Sequence, residues 1–498
     1  MSGTEEQAQI TPPNAAERVA RPISGAAPGG SCASDERAQV TPRDTAEWEA
    51  PPMSGAASGG SCASEDYSHD LAAPHGFTGA AESPGTAHRG PCASPLRVLM
   101  LASYFPKPEN PLMGNWALAQ AQALRRNGVD LRVVSFTSWV PRVFAITKGA
   151  RAYANCPAAS SWDGLEAEYP RWLYYPVGPF RKLTERYPAL LMKLAWLTAR
   201  RALRKAVDTF RPQVIYAHHT GASGFLAAKL NQETGLPYII TDHDFDEVQS
   251  AQIWPQRRRL FEFVAGNAHT MIAVATRMEA ELKKVSPRSR TATIQNGSDP
   301  LPAEIVGKPR PAELAGKTII FSCGTFYRRK AVPALVEAFA RIAQKYPEAI
   351  LRIAGGGEER PLVEEAVRKH SLQNRVTLLG FLSHAQVMQE MVWSDMFALI
   401  GWDEPFATVY LEATAAGKPI VCCSDGGIND VIRNEVHGLT IPPRDTDAAA
   451  VALDRLCGDP ELRKIMGRAS AELFQSSLRW DSHATRMIEI FESAVATR

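Results

Sequence analysis

The feature that most limits what this chain can fold into is a pattern stated twice. LRVLMLASYF at 96–105 reads as a buried strand, 106–114 as a loop with proline and glycine, 116–127 as a helix ended by Gly128, and DLRVVSF as the next strand. PQVIYAHHTG, a helix over 223–232, PYIITDHD, a helical stretch over 260–266 and TMIAVAT carry the alternation to TATIQNG. A proline-rich stretch at 298–316 interrupts it, and KTIIFSCGTF begins it again. Helices over 332–345 and 360–370 then alternate with AILRIAGGG, RVTLLGFLS and DMFALIGW, and a helix opening near Phe406 precedes PIVCCSD and GLTIPP. Strands that are nearly continuous apolar runs, each followed by a helix, predict parallel sheets covered on both faces. Two such series predict two facing doubly wound α/β domains with one deep cleft at the C-terminal ends of their strands.

The expected organisation is a tail at 1–95, a first domain at 96–300, a linker at 301–317, a second domain at 318–477 and a closing segment at 478–498. In that last segment Met487, Ile488, Phe491 and Val495 share a helical face able to pack across the domains. The tail repeats with a period of 30: SGAAPGGSCAS starts at Ser24, SGAASGGSCAS at Ser54 and a weaker PGTAHRGPCAS at Pro84. With Gly, Ala, Ser and Pro in place of an apolar face, it has too little to bury to offset the entropy of ordering, and is expected to be disordered rather than a solenoid. Charge divides the same way, 12 acidic against 5 basic residues over 1–95 and 41 against 50 thereafter. The eight cysteines show no C-x-x-C pairing. Reduced thiols in a cytoplasmic protein are therefore expected, and no segment reads as an export signal or a membrane span.

Chemistry concentrates after the linker. Glu404 and Glu412 stand eight residues apart, about 80° out of alignment on a helix, which puts one acid in the loop before a helix and one within it. Together with Pro405 and Phe406 they frame a helix N-terminus whose free N–H groups can take a diphosphate, while the carboxylates accept bonds from hydroxyls. A capping acid and a solvated glutamate would satisfy the same spacing. Lys330, with Arg328 and Arg329, follows a strand, where a cation can neutralise a departing phosphate; an exposed basic loop is the plainer reading. Gly355–Gly357 and Gly426–Gly427 are permissive loops without the full dinucleotide fingerprint. In the first half, Gly114 and Asn115 open a helix after the first strand, and His243 lies at a strand end in TDHDFD, with Asp242 and Asp244 as groups able to orient it. His218 and His219 are a second candidate pair.

In their order, NGSD at Asn296, CGTFYRRK, RIAGGGEERPLVEE, RVTLLGFLS, EPFATVYLEATAAGKPIV and GGINDVI resemble the retaining glycosyltransferases of family 4, over about 96–498. The resemblance implies the GT-B fold, two facing Rossmann-like domains with the acceptor side in the first and the nucleotide sugar in the second. It implies that Glu404 contacts donor-sugar hydroxyls, Glu412 the ribose, Lys330 the phosphates and the backbone at Gly380–Phe381 the base. Gly114 and Asn115 belong to its diphosphate loop, and His243 is its active-site histidine. Transfer would proceed with retention and without a metal or other cofactor, the leaving phosphate taking the acceptor's proton. A double displacement through Glu404 or Asp242 is the alternative. Three positions depart from the family: Thr325 stands where Arg is usual, with Arg328 or Arg329 available to compensate, Ala407 where Gly is usual, and Asp430 where Glu is usual.

The donor is expected to be a UDP- or GDP-sugar, and the acceptor a saccharide or lipid-linked saccharide in cell-surface polysaccharide synthesis. Between 180 and 211, nine basic residues and two acidic ones interleave with Leu190, Leu191, Leu194, Trp196, Leu197 and Leu203. Such a helix can lie on an anionic membrane surface, or equally pack its apolar side on the core. No nucleic-acid module is present. The alternatives are a non-catalytic saccharide-binding or assembly protein on the same scaffold, and a GT-B phosphorylase.

Overall fold

The computed structural model describes residues 95–111, 113–175 and 186–498. The repetitive tail, apart from its last residue, and the 180–185 start of the basic stretch lie outside them. The first sheet is built from β1 (Arg97–Ala102), β2 (Asp130–Val134), β4 (Ala159–Trp162), β5 (Leu165–Glu168), β7 (Val214–His218), β8 (Tyr238–Asp242), β9 (Thr270–Ala273) and β10 (Thr291–Thr293). Two short strands between them, β3 (Thr137–Ser138) and β6 (Arg171–Trp172), pair with one another apart from the sheet. The sheet order is β10-β9-β8-β7-β1-β2-β5-β4, parallel except for the β4–β5 hairpin.

The second sheet comprises β11 (Thr318–Cys323), β12 (Ala349–Ala354), β13 (Val376–Gly380), β14 (Met396–Leu399), β15 (Ile420–Cys423) and β16 (Gly438–Ile441). All are parallel, in the order β13-β12-β11-β14-β15-β16. The reversal at β11–β14 puts the topological switch, where ligands of such sheets settle, beside the loops that carry Lys330 and Glu404. The expected fold class, two Rossmann-like domains, is what forms. Helices read from the sequence fall within a few residues of their observed limits: Asn115–Arg126, Ala222–Thr234, Val332–Ala343 and Arg360–Lys369.

One apolar cluster runs through both halves, joining Leu99, Ile240 and Ala275 on the first side to Phe406, Tyr410 and Ile428 on the second. The last helix, Trp480–Ala496, returns to the first sheet, where Trp480, Met487 and Phe491 share a cluster with Val98, Met100 and Tyr216. Ser298 and Leu478 are joined there by a backbone bond of 2.9 Å, and Gly297 is obligatory because a Cβ would lie 2.5 Å from Trp480 N.

Candidate active site

On the second domain the loops after β11, β12 and β13 are laced through their backbones. Phe326, fully buried, anchors the first loop; its N–H donates to Gly356 O at 2.9 Å, and its carbonyl accepts from Glu359 N at 2.9 Å. Gly355 N donates to Gly380 O at 2.7 Å. Gly355 and Gly357 make this possible: a Cβ on the first would stand 1.9 Å from Gly324 O, and on the second 2.6 Å from Phe326 O. These glycines let backbone approach backbone, and Phe381, 77% exposed, stands at the rim they create.

The laced loops hold the 3₁₀ turn Arg328–Lys330 against the loop after β14. Lys330 Nζ donates to Glu404 Oε2 at 2.8 Å, and Arg329 Nε lies 3.8 Å from Oε1; both the lysine and glutamate side chains are largely buried. Glu404 Oε1 has no hydrogen-bond partner among the described residues, so the carboxylate keeps an acceptor in reserve. Its backbone is fixed from beyond β15, where Gly427 N donates to Glu404 O at 2.9 Å, and a Cβ on Gly427 would lie 1.8 Å from Pro405 O. The Gly426–Gly427 loop thus supports the acid, a role sequence reasoning did not assign. Burial works against the charge of Arg329, but Glu404, Tyr327 and Asp246 of the first domain favour it and raise its pKa.

Arg328 turns the other way, into a hollow of about 190 Å³ that it lines with Trp402 and Arg444. Glu412 lies within the helix Thr408–Ala415, and His384 Nε2 is 3.1 Å from its Oε1. That bond raises the pKa of His384 above the usual imidazole value. No local pattern signals this pairing, because 28 residues separate the partners. Phe406 is buried in the shared apolar cluster, and Ala407 has φ −69° and ψ 120°, a conformation that makes no demand for the usual glycine.

On the first domain Gly114 is the N-cap of the helix Asn115–Arg126, at φ 72°. A Cβ there would come within 2.5 Å of the Tyr104 carbonyl, so glycine is required both for its dihedral and for the close approach. Asn115 is exposed at the helix opening. The next residue, Trp116, lies over His243 with ring centroids 3.9 Å apart and stacks on His218 at 5.1 Å. His218 and His243 are themselves 5.0 Å apart, and His219 is 5.4 Å from His243. Among the described residues no ring nitrogen of His218 or His243 has a hydrogen-bond partner. Burial, and then the neighbouring imidazoles, hold both well below the usual histidine pKa, so both are neutral near pH 7.

Asp242 and Asp244 do not orient His243 as the sequence allowed. Asp242 accepts from Thr220 N at 2.7 Å and Thr220 Oγ1 at 2.5 Å, and burial pushes its pKa up to about 7. Asp244 caps Asp246 N at 3.0 Å and lies 3.8 Å from His219 Nδ1. What packs against His243 instead is the ring of Trp116, tilted 39° to it, and the stacked ring of His218.

The two domains meet beside Glu404. Asp430 accepts from Thr276 N and Thr276 Oγ1, each at 2.6 Å, at the start of the helix Thr276–Val285 in the first domain. Arg277 pairs with Asp403 and donates to Asp425 O at 2.7 Å. The departure from the usual Glu at 430 is therefore occupied by a helix-capping contact between domains. Among the described residues no group of three or more His, Cys, Asp or Glu side chains is placed to hold a metal ion.

Two Rossmann-like domains, each a largely parallel sheet flanked by helices, are the architecture of a GT-B glycosyltransferase. Models of two families match, "Glycosyl transferase 4-like domain" over residues 113–297 and "Glycosyl transferases group 1" over 308–473. The chain belongs to the family 4-like glycosyltransferases of GT-B fold, enzymes that act on nucleotide-sugar donors. A glycogen synthase of Mycobacterium tuberculosis is 26% identical over 299 residues, covering 57% of this chain and 70% of that one. Among solved structures, sucrose-phosphate synthase of Thermosynechococcus elongatus superposes with a TM-score of 0.64 at 22% identity, covering 81% of this chain and all of that one. Anabaena HepE in complex with UDP does so with a TM-score of 0.60 at 17% identity, over 80% of this chain and all of that one.

Proposed function

We propose that the chain transfers a sugar from a UDP- or GDP-sugar with retention of configuration, to a saccharide or lipid-linked saccharide of a cell-surface polymer. The observation that carries this is the buried Lys330–Glu404 pair, with Oε1 of the glutamate unpartnered among the described residues. In this reading Glu404 keeps one oxygen on Lys330 and offers the other to a donor hydroxyl. Lys330 and Arg329 take the charge of the departing phosphate, and Glu412 takes the ribose, with the backbone at Gly380 and Phe381 beside the base. Gly114 and Asn115 supply the N–H groups of a helix start from the opposite wall.

The acceptor hydroxyl attacks on the face from which the nucleoside diphosphate leaves. Its proton passes to the leaving phosphate oxygen, so no side chain has to act as a covalent nucleophile. Neutral His243 donates one hydrogen bond near the reacting carbon. Charge neutralisation by Lys330, Arg329 and the helix starts makes a metal unnecessary in this scheme. A double displacement through Asp242 is disfavoured because Thr220 engages both oxygens of that buried carboxyl. With a lipid-linked acceptor the enzyme would work in the cytoplasm at the inner face of the membrane; among the described residues no helix is long and apolar enough to cross one.

A panel of UDP-, GDP- and ADP-sugars, assayed for binding and for slow hydrolysis, tests the reading. One donor class should bind and turn over, and Glu404→Ala should lower turnover by about 10²–10³-fold. Binding without hydrolysis or transfer to any acceptor would favour the non-catalytic scaffold.

A further inference from the structure

Four large apolar side chains crowd into eight residues of the first domain, and all point into solvent: Trp139, Val143, Phe144 and Ile146, the last three 68–80% exposed. They sit on ordered backbone. The 3₁₀ turn Arg142–Phe144 is closed by Phe144 N to Pro141 O at 2.9 Å, and the helix that follows is capped by Thr147 Oγ1, which accepts from Ala150 N at 3.1 Å. The stem of the turn is β3, paired with β6, and Ser138 Oγ donates to Tyr174 O at 2.6 Å.

The same β6 segment is joined to the helix Pro188–Phe210, whose Thr198 Oγ1 accepts from Leu173 N at 3.1 Å. That helix buries Met192, Ala195, Trp196 and Leu203, while Leu190, Leu194 and Leu197 form an exposed stripe one helical face wide. Two apolar ridges therefore hang from one small two-stranded sheet.

Charge selects the partner. Residues 131–162 hold four basic side chains and no acidic one, and 186–207 hold six and none. Arg200 and Arg204 are taken by Glu233, but Arg142 and Arg151 flank the exposed turn, and Lys193 and Arg201 lie along the leucine stripe. Protruding apolar tips amid uncompensated cations suit a surface that is soft, apolar below and anionic above, which is an anionic lipid bilayer. A protein partner would have to supply pockets for each tip. We propose that the 139–146 turn enters the headgroup layer of an anionic membrane, with the leucine stripe of the neighbouring helix as its second contact. This deepens the proposed use of a lipid-linked acceptor by naming the membrane-entering element.

The test uses the full chain, without donor, in flotation with phosphatidylcholine vesicles with and without phosphatidylglycerol. Binding should require the anionic lipid and weaken with salt. The variant V143S/F144S/I146S should bind at least about ten-fold more weakly, with unchanged donor hydrolysis reporting an intact fold, and L190S/L197S should lose affinity as well. Wild-type chain that stays off anionic vesicles, or a triple variant that floats like wild type, would overturn the proposal. So would a self-association that the triple variant abolishes, since the ridge would then be a protein interface. Absent donor turnover in every chain would instead count against the proposed reaction and leave the vesicle result standing.

Discussion

The two domains solve the burial of polar groups in opposite ways. In the second domain the proposed site groups are ions held against ions, Lys330 and Arg329 on Glu404, with the loops beneath them laced backbone to backbone through Gly355, Gly357 and Gly427. In the first domain the proposed site groups are neutral rings packed on one another, Trp116 stacked on His218 and tilted over His243, with the ring nitrogens of both histidines unpartnered among the described residues. A buried ion pair is costly to break from either side, because the survivor keeps its desolvation cost without its Coulomb partner. A packed set of neutral rings is cheaper to disturb, and in the proposed scheme its buried, unpartnered nitrogens are what a substrate would engage. In the proposed reaction this difference would suit a leaving group that carries charge and an acceptor that does not.

The largest effect should come from removing the cation that pairs with Glu404 and that, in the proposed scheme, meets the departing phosphate. Lys330→Met should lower kcat by about 10³-fold and lower stability by about 3–5 kcal/mol, because Glu404 is then buried without its nearest counter-ion. Adding Glu404→Gln should restore most of that stability and none of the activity, as read by denaturant titration beside turnover. If Lys330→Met alone is as stable as wild type, the ionic description of this domain is wrong.

His243→Gln should cost less, about 10²-fold in kcat, with little change in stability. The sharper readout is the pH profile. Burial lowers the pKa of His243, so the native imidazole stays neutral as pH falls through 6.5, and wild-type activity should show no acid limb at the usual histidine value. His218→Asn removes one stacked neighbour, lessens the burial of His243 and should move any acid limb upward toward 6.5. A wild-type limb already centred near 6.5 and abolished in His243→Gln would mean that the ring is open to water and the stacked description fails.

This contrast also marks how far the sequence can be read. The parallel sheets were legible because strands buried on both faces are unbroken apolar runs, as in VIYA and IVCC, and Lys330 and Glu404 stand out in the sequence because they follow such strands. The β4–β5 hairpin was not, since ASSW and LEAE carry half-exposed and polar residues that mimic a loop. Nor were the partners of these side chains. His384 on Glu412, Gly427 beneath Glu404 and Trp116 on His243 are made by tertiary closure between positions 23 to 127 residues apart, which no local pattern encodes.

Asp430 tests what joins the two domains and should give the smallest effect. Its carboxylate accepts from both Thr276 N and Thr276 Oγ1, capping an exposed helix start from the other domain. A lost cap is worth about 0.5–2 kcal/mol, so Asp430→Ala should lower stability by about 1 kcal/mol. The consequence for catalysis should be a change of a few-fold in donor KM with kcat nearly intact, because the contact sets how the domains meet and touches no reacting atom. Asp430→Asn, which keeps one acceptor and loses the charge, should fall between. Asp430→Glu, which restores the usual residue, adds a methylene to a side chain already in bonding contact, and should weaken the cap unless the domains part slightly to receive it. A double-mutant cycle with Thr276→Val isolates the contact: coupling near zero would mean that this contact is not made in solution, leaving the Arg277 contacts and the shared apolar cluster to join the domains.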